Sequence, residues 1–356
     1  RLTARTWNEE DLRSIGERHT EGETWGEIAE SYGVNADVVR CAWRRRPKKE
    51  QSPTPEFEDW QEPEDVDWRE ILDNASANQD LSQRINPLQE HLSITIPTSK
   101  PIAICKAADF HIGGGFTNHK AVRKTLELIL ETPGMYMSAN GDMIEGFIPG
   151  EKSAETVEQM PLGLRQQLAA NRNLVQEFVN AKKLLWWMWG DHDAKWFEKL
   201  VGVNIVKMMT DRVVPYFNQA ATVKLKVGKE EYLLYVNHSL PGNSMLNPNH
   251  AQGRAYREQV PADVIVSAHR HKPAMQWYYK YERMRELGYN LGGKVLLVHC
   301  GTFKTGPDPY TCRTWSRGII GVPTVIYWPD QHKTLGLDNP EDAAIYLRGY
   351  GAMHGT

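Results

Sequence analysis

The sequence predicts an α/β protein, two packed mixed β-sheets flanked by helices, preceded by a small all-α module. Three observations carry that expectation. From residue 102 onward, short apolar runs alternate with longer amphipathic stretches, as strands and helices do in a layered fold. In the later part of the chain the strand-like runs crowd together, which favours a pair of mixed sheets over one parallel sheet. The first 46 residues, by contrast, carry only helical patterns, each opened by a capping-type residue.

In the N-terminal stretch, Asn8 followed by Glu9, Glu10 and Asp11 opens a helix to about His19, with acids at the positive end of its dipole. Thr24 caps a second helix over 25–32, ended by Gly33, and Asn35 caps a third over 36–46. Ile28, Ala29, Gly33, Val34, Val39 and Trp43 fall where two helices joined by a tight turn need their packing residues. Over residues 8–46 this pattern resembles the helix-turn-helix family of DNA-binding domains. Acids dominate the first two helices, whereas Arg40, Arg44, Arg45, Arg46, Lys48 and Lys49 gather at the end of the third with no acid among them. A basic recognition helix suits contact with phosphates. Residues 1–48 are therefore expected to bind DNA through these six cations. A three-helix module for protein contacts, with a solvated basic end, is the alternative.

Residues 49–99 read as an acidic, proline-rich linker. Pro53, Pro55 and Pro63 interrupt Glu56, Glu58, Asp59, Glu62, Glu64, Asp65 and Asp67, a composition with too little apolar surface to order itself. A short helix is expected over 67–75, with Trp60 and Trp68 docking the segment locally.

The main domain is expected over 100–335, with a C-terminal tail over 336–356. Strands are predicted over 102–108, 135–139, 184–189, 264–267, 275–279, 295–300 and 324–328, with a hairpin of 222–227 and 231–236 about Gly228. Helices are predicted over 119–130, most of 154–181 despite Pro161, 194–209 and 250–259.

An apolar fraction of 40% and a charged fraction of 24% support a real core, and a net charge of −3 offers no general attraction to nucleic acid or membrane. Cys41, Cys105, Cys300 and Cys312 are scattered without metal-type spacing, which suggests reduced thiols and a cytoplasmic, intracellular protein. No apolar run approaches the ~18 residues of a membrane span, and no signal-peptide pattern is present. Because the chain opens on Arg1 and not on methionine, the expectation is that its true N-terminus is missing. Oligomeric state is left open.

The chemistry lies at the ends of the strands. The run Leu184-Leu185-Trp186-Trp187-Met188-Trp189 stops at Gly190-Asp191-His192-Asp193. The strand at 102–108 ends in Asp109-Phe110-His111, that at 135–139 in Gly141-Asp142 with Glu145 beyond. The hairpin ends in His238, and the strand at 264–267 in His269-Arg270-His271. A single Asp or His at a strand end is commonly a turn former or a satisfied polar group; five in succession point to one site. Asp109/His111 and His269/His271 are spaced i, i+2, so in extended chain each pair faces one way.

The order Asp-x-His, Gly-Asp-x-x-Glu, Gly-Asp-His-Asp, a lone His, then His-x-His resembles the calcineurin-like metallophosphoesterases, a dinuclear-metal family, over at least residues 102–271. The resemblance implies the four-layer sandwich of that family. It implies Asp109, His111 and His271 as ligands of a first metal, Asp142 as the bridging carboxylate, and Asp191, His238 and His269 as ligands of a second. His192 corresponds to the family's unligated active-site histidine, with Asp193 placed to orient it. Mixed imidazole and carboxylate ligands suit two divalent ions, Mn²⁺ first, with Fe or Zn as alternatives. Two such ions hold a bridging hydroxide for in-line attack on phosphorus. Two departures stand out: Asp191 replaces the family's usual asparagine, and Ala268 replaces the glycine before His-x-His.

Protein phosphatases of this superfamily usually carry an arginine soon after the bridging aspartate; Met143-Ile144-Glu145-Gly146 has none, which argues against a phosphoprotein substrate. Asn243, Ser244, His250, Arg254 and Arg257 follow the His238 strand and are expected to grip a phosphate backbone; a structured loop and surface helix is the alternative. Lys304, Tyr310, Arg313 and Arg317 offer a second basic and aromatic surface. A DNA-reading module joined to dinuclear phosphodiesterase chemistry favours a DNA nuclease, similar to the Mre11/SbcD-type branch. The alternatives are a phosphoesterase for nucleotides or other small phosphodiesters, and a DNA-binding regulator whose metallophosphoesterase domain is degenerate.

Overall fold

The computed structural model describes residues 6–46, 67–85, 90–146, 158–195, 198–199, 202–210, 213–242, 244, 247–258, 260–279, 294–306 and 318–353. The chain divides into two units, Arg1–Asp73 and Asn74–Thr356.

The first unit holds three helices, α1 (Glu9–Thr20), α2 (Trp25–Ser31) and α3 (Ala36–Arg45). Asn8 and Thr24 each cap their helix in a reciprocal box, with Asp11 and Glu27 returning the bond to the cap backbone. Asn35 caps α3 by accepting from the Asp37 amide. Ile15, Ile28, Ala29 and Val39 form the core, with Val34 and Trp43 packed on it, so the packing positions read from the sequence do meet. Gly33 makes the turn at φ +64°, where a side chain would be strained. Gly16 is as important as any of these: the Trp43 ring lies where its Cβ would be, so only glycine lets α1 sit against α3.

Helix α4 (Trp68–Ile85) is longer than the short helix expected at 67–75. Trp68 is 59% exposed and so does not dock the segment, while Trp60 lies outside the described residues.

In the second unit, two six-stranded sheets carry the fold. One runs β12 (Thr334–Leu337), β11 (Thr324–Tyr327), β2 (Ile102–Ala107), β3 (Met135–Ala139), β4 (Leu184–Met188), β5 (Tyr216–Phe217). The other runs β1 (His91–Ile96), β6 (Ala221–Val227), β7 (Glu230–Val236), β8 (Val264–Ser267), β10 (Lys294–His299), β9 (Ala274–Tyr279). Both are mixed. In the first, β2 to β5 are parallel and β11 and β12 antiparallel; in the second, β7, β8 and β10 are parallel neighbours.

Alternate residues of the central strands point to opposite faces, both apolar. Ile104, Trp186, Met188 and Tyr327 from one sheet meet Leu225, Leu234, Val266 and Val298 from the other. The outer face of the first sheet is covered by α5 (His119–Glu131), α6 (Leu164–Asn180), α7 (Ile205–Thr210) and α9 (Pro340–Met353). Helix α8 (His250–Arg257) covers the second sheet, through Ala251, Ala255 and Tyr256 against Ile265 and Leu297. Helix, sheet, sheet and helix make the four-layer sandwich.

Several expectations are corrected. The linker does not extend to residue 99, because His91–Ile96 is the edge strand β1, paired in parallel with β6. Its alternating exposure, as befits an edge, leaves no continuous apolar run to mark it. The supposed tail over 336–356 contains the end of β12 and all of α9, which buries Pro340, Ala343 and Ala344. Of the helix expected over 194–209, the described residues show a π-helical turn, Asp191–Lys195, helical residues at 198–199 and α7, while 196–197 and 200–201 lie outside the described residues.

Candidate metal centre

Parallel strands put their carboxyl ends on one edge, and that edge is where an open α/β sheet holds its ligands. Asp109, Asp142 and Asp191 follow β2, β3 and β4 of one sheet; His238 and the His269/His271 pair follow β7 and β8 of the other. The strand ends are tied together by Asn140. Its side-chain amide donates to the Ala107 carbonyl at 3.2 Å, and its side-chain oxygen accepts from Trp186 Nε1 at 3.2 Å. Its backbone carbonyl lies 2.8 Å from His238 Nδ1, which turns Nε2 of that imidazole to Asp142.

The backbone leaves β-geometry as the ligand positions begin. Asp109, His111, Asp142, His269 and His271 all have φ between +49° and +74°. Left-handed backbone at a non-glycine residue costs on the order of 1–3 kcal/mol and collects where function demands it. The i, i+2 pairs therefore converge through left-handed turns, not through the extended chain expected from their spacing. Gly190 is required for the same closeness, since a Cβ there would strike the Asp142 carboxylate and backbone.

Three clusters of ligating atoms result, each with its atoms within 4.8 Å of one another: Asp109, His111 and His271; His111, Asp142 and His192; Asp142, His238 and His269. His271 Nε2 lies 3.2 Å from Asp109 Oδ1 and 3.1 Å from His111 Nε2. His238 Nε2 lies 3.2 Å from Asp142 Oδ2. Asp142 belongs to two clusters and so joins them. Asp191 Oδ2 reaches His269 Nδ1 at 3.1 Å, but Asp191 is not a member of the Asp142 cluster.

The donor set fits divalent ions on this structure's own evidence. Asp109 Oδ1 and His238 Nε2 are buried without an aligned hydrogen bond, although each lies close to a neighbouring ligand atom. His111 Nε2 and His271 Nε2, 3.1 Å apart, can share a proton as donor and acceptor or turn both lone pairs to one ion. That spacing is close to the ~3.0 Å separating two nitrogens at right angles, each about 2.1 Å from one ion.

Charge is concentrated here. Burial disfavours ionised Asp142, but His238, His192 and His111 outweigh it and hold its carboxyl well below the usual range. Burial likewise lowers His238, yet Asp142 pulls its imidazole up to about 10. His111, dominated by burial, is pushed down to about 4 and so is neutral, as a ligand must be.

His192 is held from both ends. Its amide donates to Asp142 Oδ1 at 2.7 Å, its Nδ1 lies 3.0 Å from the Glu145 carbonyl, and its ring stands edge-on to His111 at 4.6 Å. Asp193 does not orient it, contrary to expectation. The Asp193 carboxyl is fully buried behind Asp142, where its Oδ2 accepts from the Met143 amide at 2.9 Å. Burial, followed by the Asp142 charge, drives its pKa up to about 8, so near neutrality it is an uncharged support for the Asp142 loop.

Glu145 closes the Gly-Asp-x-x-Glu run. The structure makes it a hub: Oε2 lies 2.9 Å from His111 Nδ1, and Oε1 is 2.8 Å from Lys304 Nζ. Burial pushes the Glu145 carboxyl up, but His111, His192 and Lys304 outweigh this and hold it well below the ordinary range. Lys304, expected on an open basic surface, is only 6% exposed. Thr302 completes the loop, its hydroxyl donating to the Asp109 carbonyl at 2.7 Å.

The expected substrate grip is less well supported. Arg254 pairs with Glu258 at 2.7 Å, and Arg257 Nε donates to the Gly253 carbonyl at 3.3 Å, both within the surroundings of α8. Ser244 accepts from the Asn247 amide in a local turn at 3.1 Å, and His250 opens α8. Asn243, Tyr310, Arg313 and Arg317 lie outside the described residues. In the N-terminal unit, Arg44 and Arg45 are exposed on α3, Arg40 pairs with Asp37, and the Arg46 guanidinium stacks 3.1 Å from the Trp43 ring centroid. Lys48 and Lys49 lie outside the described residues.

No protein-family model matches the chain, and no curated protein does. Among solved structures, vacuolar protein sorting 29 from Cryptosporidium parvum is similar at 16% identity and TM-score 0.31, over 67% of this chain and 96% of that one. A metallophosphoesterase from Sphaerobacter thermophilus is similar at 12% identity and TM-score 0.34, over 71% of this chain and 95% of that one. A protein serine/threonine phosphatase from Saccharomyces cerevisiae is similar at 12% identity and TM-score 0.33, over 76% of this chain and 89% of that one. Among the described residues no helix is long and apolar enough to cross a membrane.

Proposed function

We propose that this chain is a calcineurin-like, dinuclear-metal phosphodiesterase, and that its substrate is DNA. The observation that carries the reading is Asp142, whose carboxylate gathers with His111 and His192 on one side and with His238 and His269 on the other. Asp109, His111 and His271 would hold one divalent ion, His238 and His269 a second, with Asp142 between them and Asp191 adjoining through His269. Two such ions, Mn²⁺ by preference, supply charge to neutralise the phosphate oxygens and acidity to turn water into a nucleophile. His192 is fixed through Nδ1 at the edge of the site, where an imidazolium can protonate the departing oxygen. Glu145, anchored by Lys304, fixes the His111 ring and so the direction of its other nitrogen.

DNA as substrate rests on the N-terminal unit. Its three capped helices share one core, and α3 exposes Arg44 and Arg45, as a helix-turn-helix reading with phosphate contact needs. A binding module on the same chain raises the local concentration of substrate at the centre without any new contact there.

The test is a Mn²⁺ activity panel over single- and double-stranded DNA, RNA, nucleotides, phosphopeptides and bis(p-nitrophenyl) phosphate. Cleavage of DNA, lost in His192→Ala, is the expected result. Turnover of the small diester with DNA left intact would replace the nuclease by a small-diester phosphoesterase. Absence of all turnover in metal-loaded protein would leave a DNA-binding regulator.

A further inference from the structure

A cleft of about 820 Å³ opens beside the second ligand cluster, with His238 in its wall and Trp189, the residue after β4, next to it. Its volume falls within the roughly 300–1,000 Å³ of ligand-binding clefts. Its position relative to His192 is informative. A ring nitrogen of His192 gathers with His111 and Asp142, its ring edge-on to His111, whereas His238 gathers with Asp142 and His269 on the other side of that carboxylate. A phosphodiester centred over Asp142 would thus present one ester oxygen to His192 and its other substituent to the cleft. A phosphomonoester would leave the cleft empty.

The lining identifies the kind of group that fits. Among the described lining residues Lys207 is offset by Glu198 and His238 is committed to Asp142, which leaves no surplus of positive charge for a further phosphate. Carboxamides dominate its polar surface. That of Asn204 is engaged by Tyr216 and the Lys207 amide, and the Asn237 oxygen by the Ser239 amide. Those of Asn218 and Gln219 have no partner among the described residues. Among the described residues the apolar wall is the half-buried Trp189 together with Val203 and Met208, 40% and 70% exposed. A flat, uncharged ring bearing both donors and acceptors answers all of these features. Carboxamides pair in bidentate fashion with base edges, and aromatic rings stack on base faces.

Resting on the phosphodiesterase reading above, we propose that this cleft binds the nucleobase of the nucleotide that keeps its phosphate, opposite the leaving group at His192. A paired base is stacked within its duplex and unavailable to a side cleft. The favoured substrate class is therefore an unpaired strand, a frayed end or a dinucleotide, rather than an internal site in duplex DNA.

The full chain with Mn²⁺ is assayed on two esters with the same p-nitrophenol leaving group: the p-nitrophenyl ester of deoxyadenosine 5′-monophosphate, and methyl p-nitrophenyl phosphate. The expected kcat/KM is at least tenfold higher for the nucleoside ester. In Asn218→Ala/Gln219→Ala, KM for that ester should rise about tenfold with kcat within twofold, and an unchanged melting temperature shows that the variant is folded. Independently of turnover, calorimetry should detect deoxyadenosine binding to the metal-free full chain, about tenfold weaker in the same variant. Equal kcat/KM for the two esters, with no deoxyadenosine binding, overturns the cleft proposal and leaves the phosphodiesterase reading standing. Hydrolysis of neither ester with deoxyadenosine bound overturns the phosphodiesterase reading and keeps the cleft. Equal competition by deoxyribose 5-phosphate would assign the cleft to the sugar and overturn the base assignment.

Discussion

Lys304 and Glu145 are a buried ion pair whose value lies in what it holds, since Glu145 also fixes His111. Removing one partner of such a pair leaves an uncompensated charge in the interior, at a cost of about 3–5 kcal/mol. Lys304→Met should therefore destabilise the protein by about 3 kcal/mol in urea titrations. Adding Glu145→Gln should restore part of that loss, while metal content and turnover stay low because the His111 ring loses its anchor. A double variant no more stable than Lys304→Met would show that the pair is not the source. Asp191 stands differently: it contacts His269 yet lies outside the shared cluster. Asp191→Asn should retain two metals per chain by elemental analysis and match or exceed the parent turnover; loss of one metal would mean that the site is built around the aspartate. His299, 1% exposed, has its imidazole pushed down by burial to about 4. In the unfolded chain it takes up a proton near pH 6.5. Between pH 6.5 and 4 the unfolded state thus binds a proton that the folded state does not, and stability is lost as pH falls through that window. The contribution at pH 5 is about 2 kcal/mol. His299→Gln should narrow the stability difference between pH 7.5 and pH 5 by about that much; an unchanged difference would falsify the assignment.

Among the elements, the three small helices show how one position decides whether a pattern can pack. Gly16 costs α1 about 1 kcal/mol of helix propensity relative to alanine. Alanine there would overlap the Trp43 ring, and overpacking typically costs 1–3 kcal/mol. Packing should win, so Gly16→Ala is expected to loosen the N-terminal unit, seen as faster limited proteolysis within residues 6–46. Slower proteolysis would mean that the ring moves aside cheaply. The strands of the main unit obey the same logic at a larger scale. β2, β8 and β11 are buried along their whole length and were legible as runs that are apolar but for Lys106, Ser267 and Thr324. β1 was not, because an edge strand needs only alternate burial, and its register comes from β6, more than a hundred residues away. β5 has two residues, too few for any periodicity.

For the whole molecule, the proposal divides labour between an N-terminal unit that engages DNA and a sandwich that carries the metal centre. Deleting residues 1–48 should lower DNA affinity and its salt dependence while leaving turnover of bis(p-nitrophenyl) phosphate intact. Undiminished DNA affinity would remove the role given to that unit. The sandwich fold and its ligand edge could be read from the chain because apolar runs mark buried strands, and the residues at their ends follow directly in sequence. By itself the sequence determined that Asp109, His111, Asp142, His192, His238, His269 and His271 would meet. Only the tertiary structure decided how they meet and what supports them. Left-handed backbone at five ligand positions, the burial of Asp193 behind Asp142, and the Glu145–Lys304 pair, 159 residues apart in sequence, leave no local pattern. Each depends on the electrostatics and close packing of segments that adjoin only after both sheets have formed.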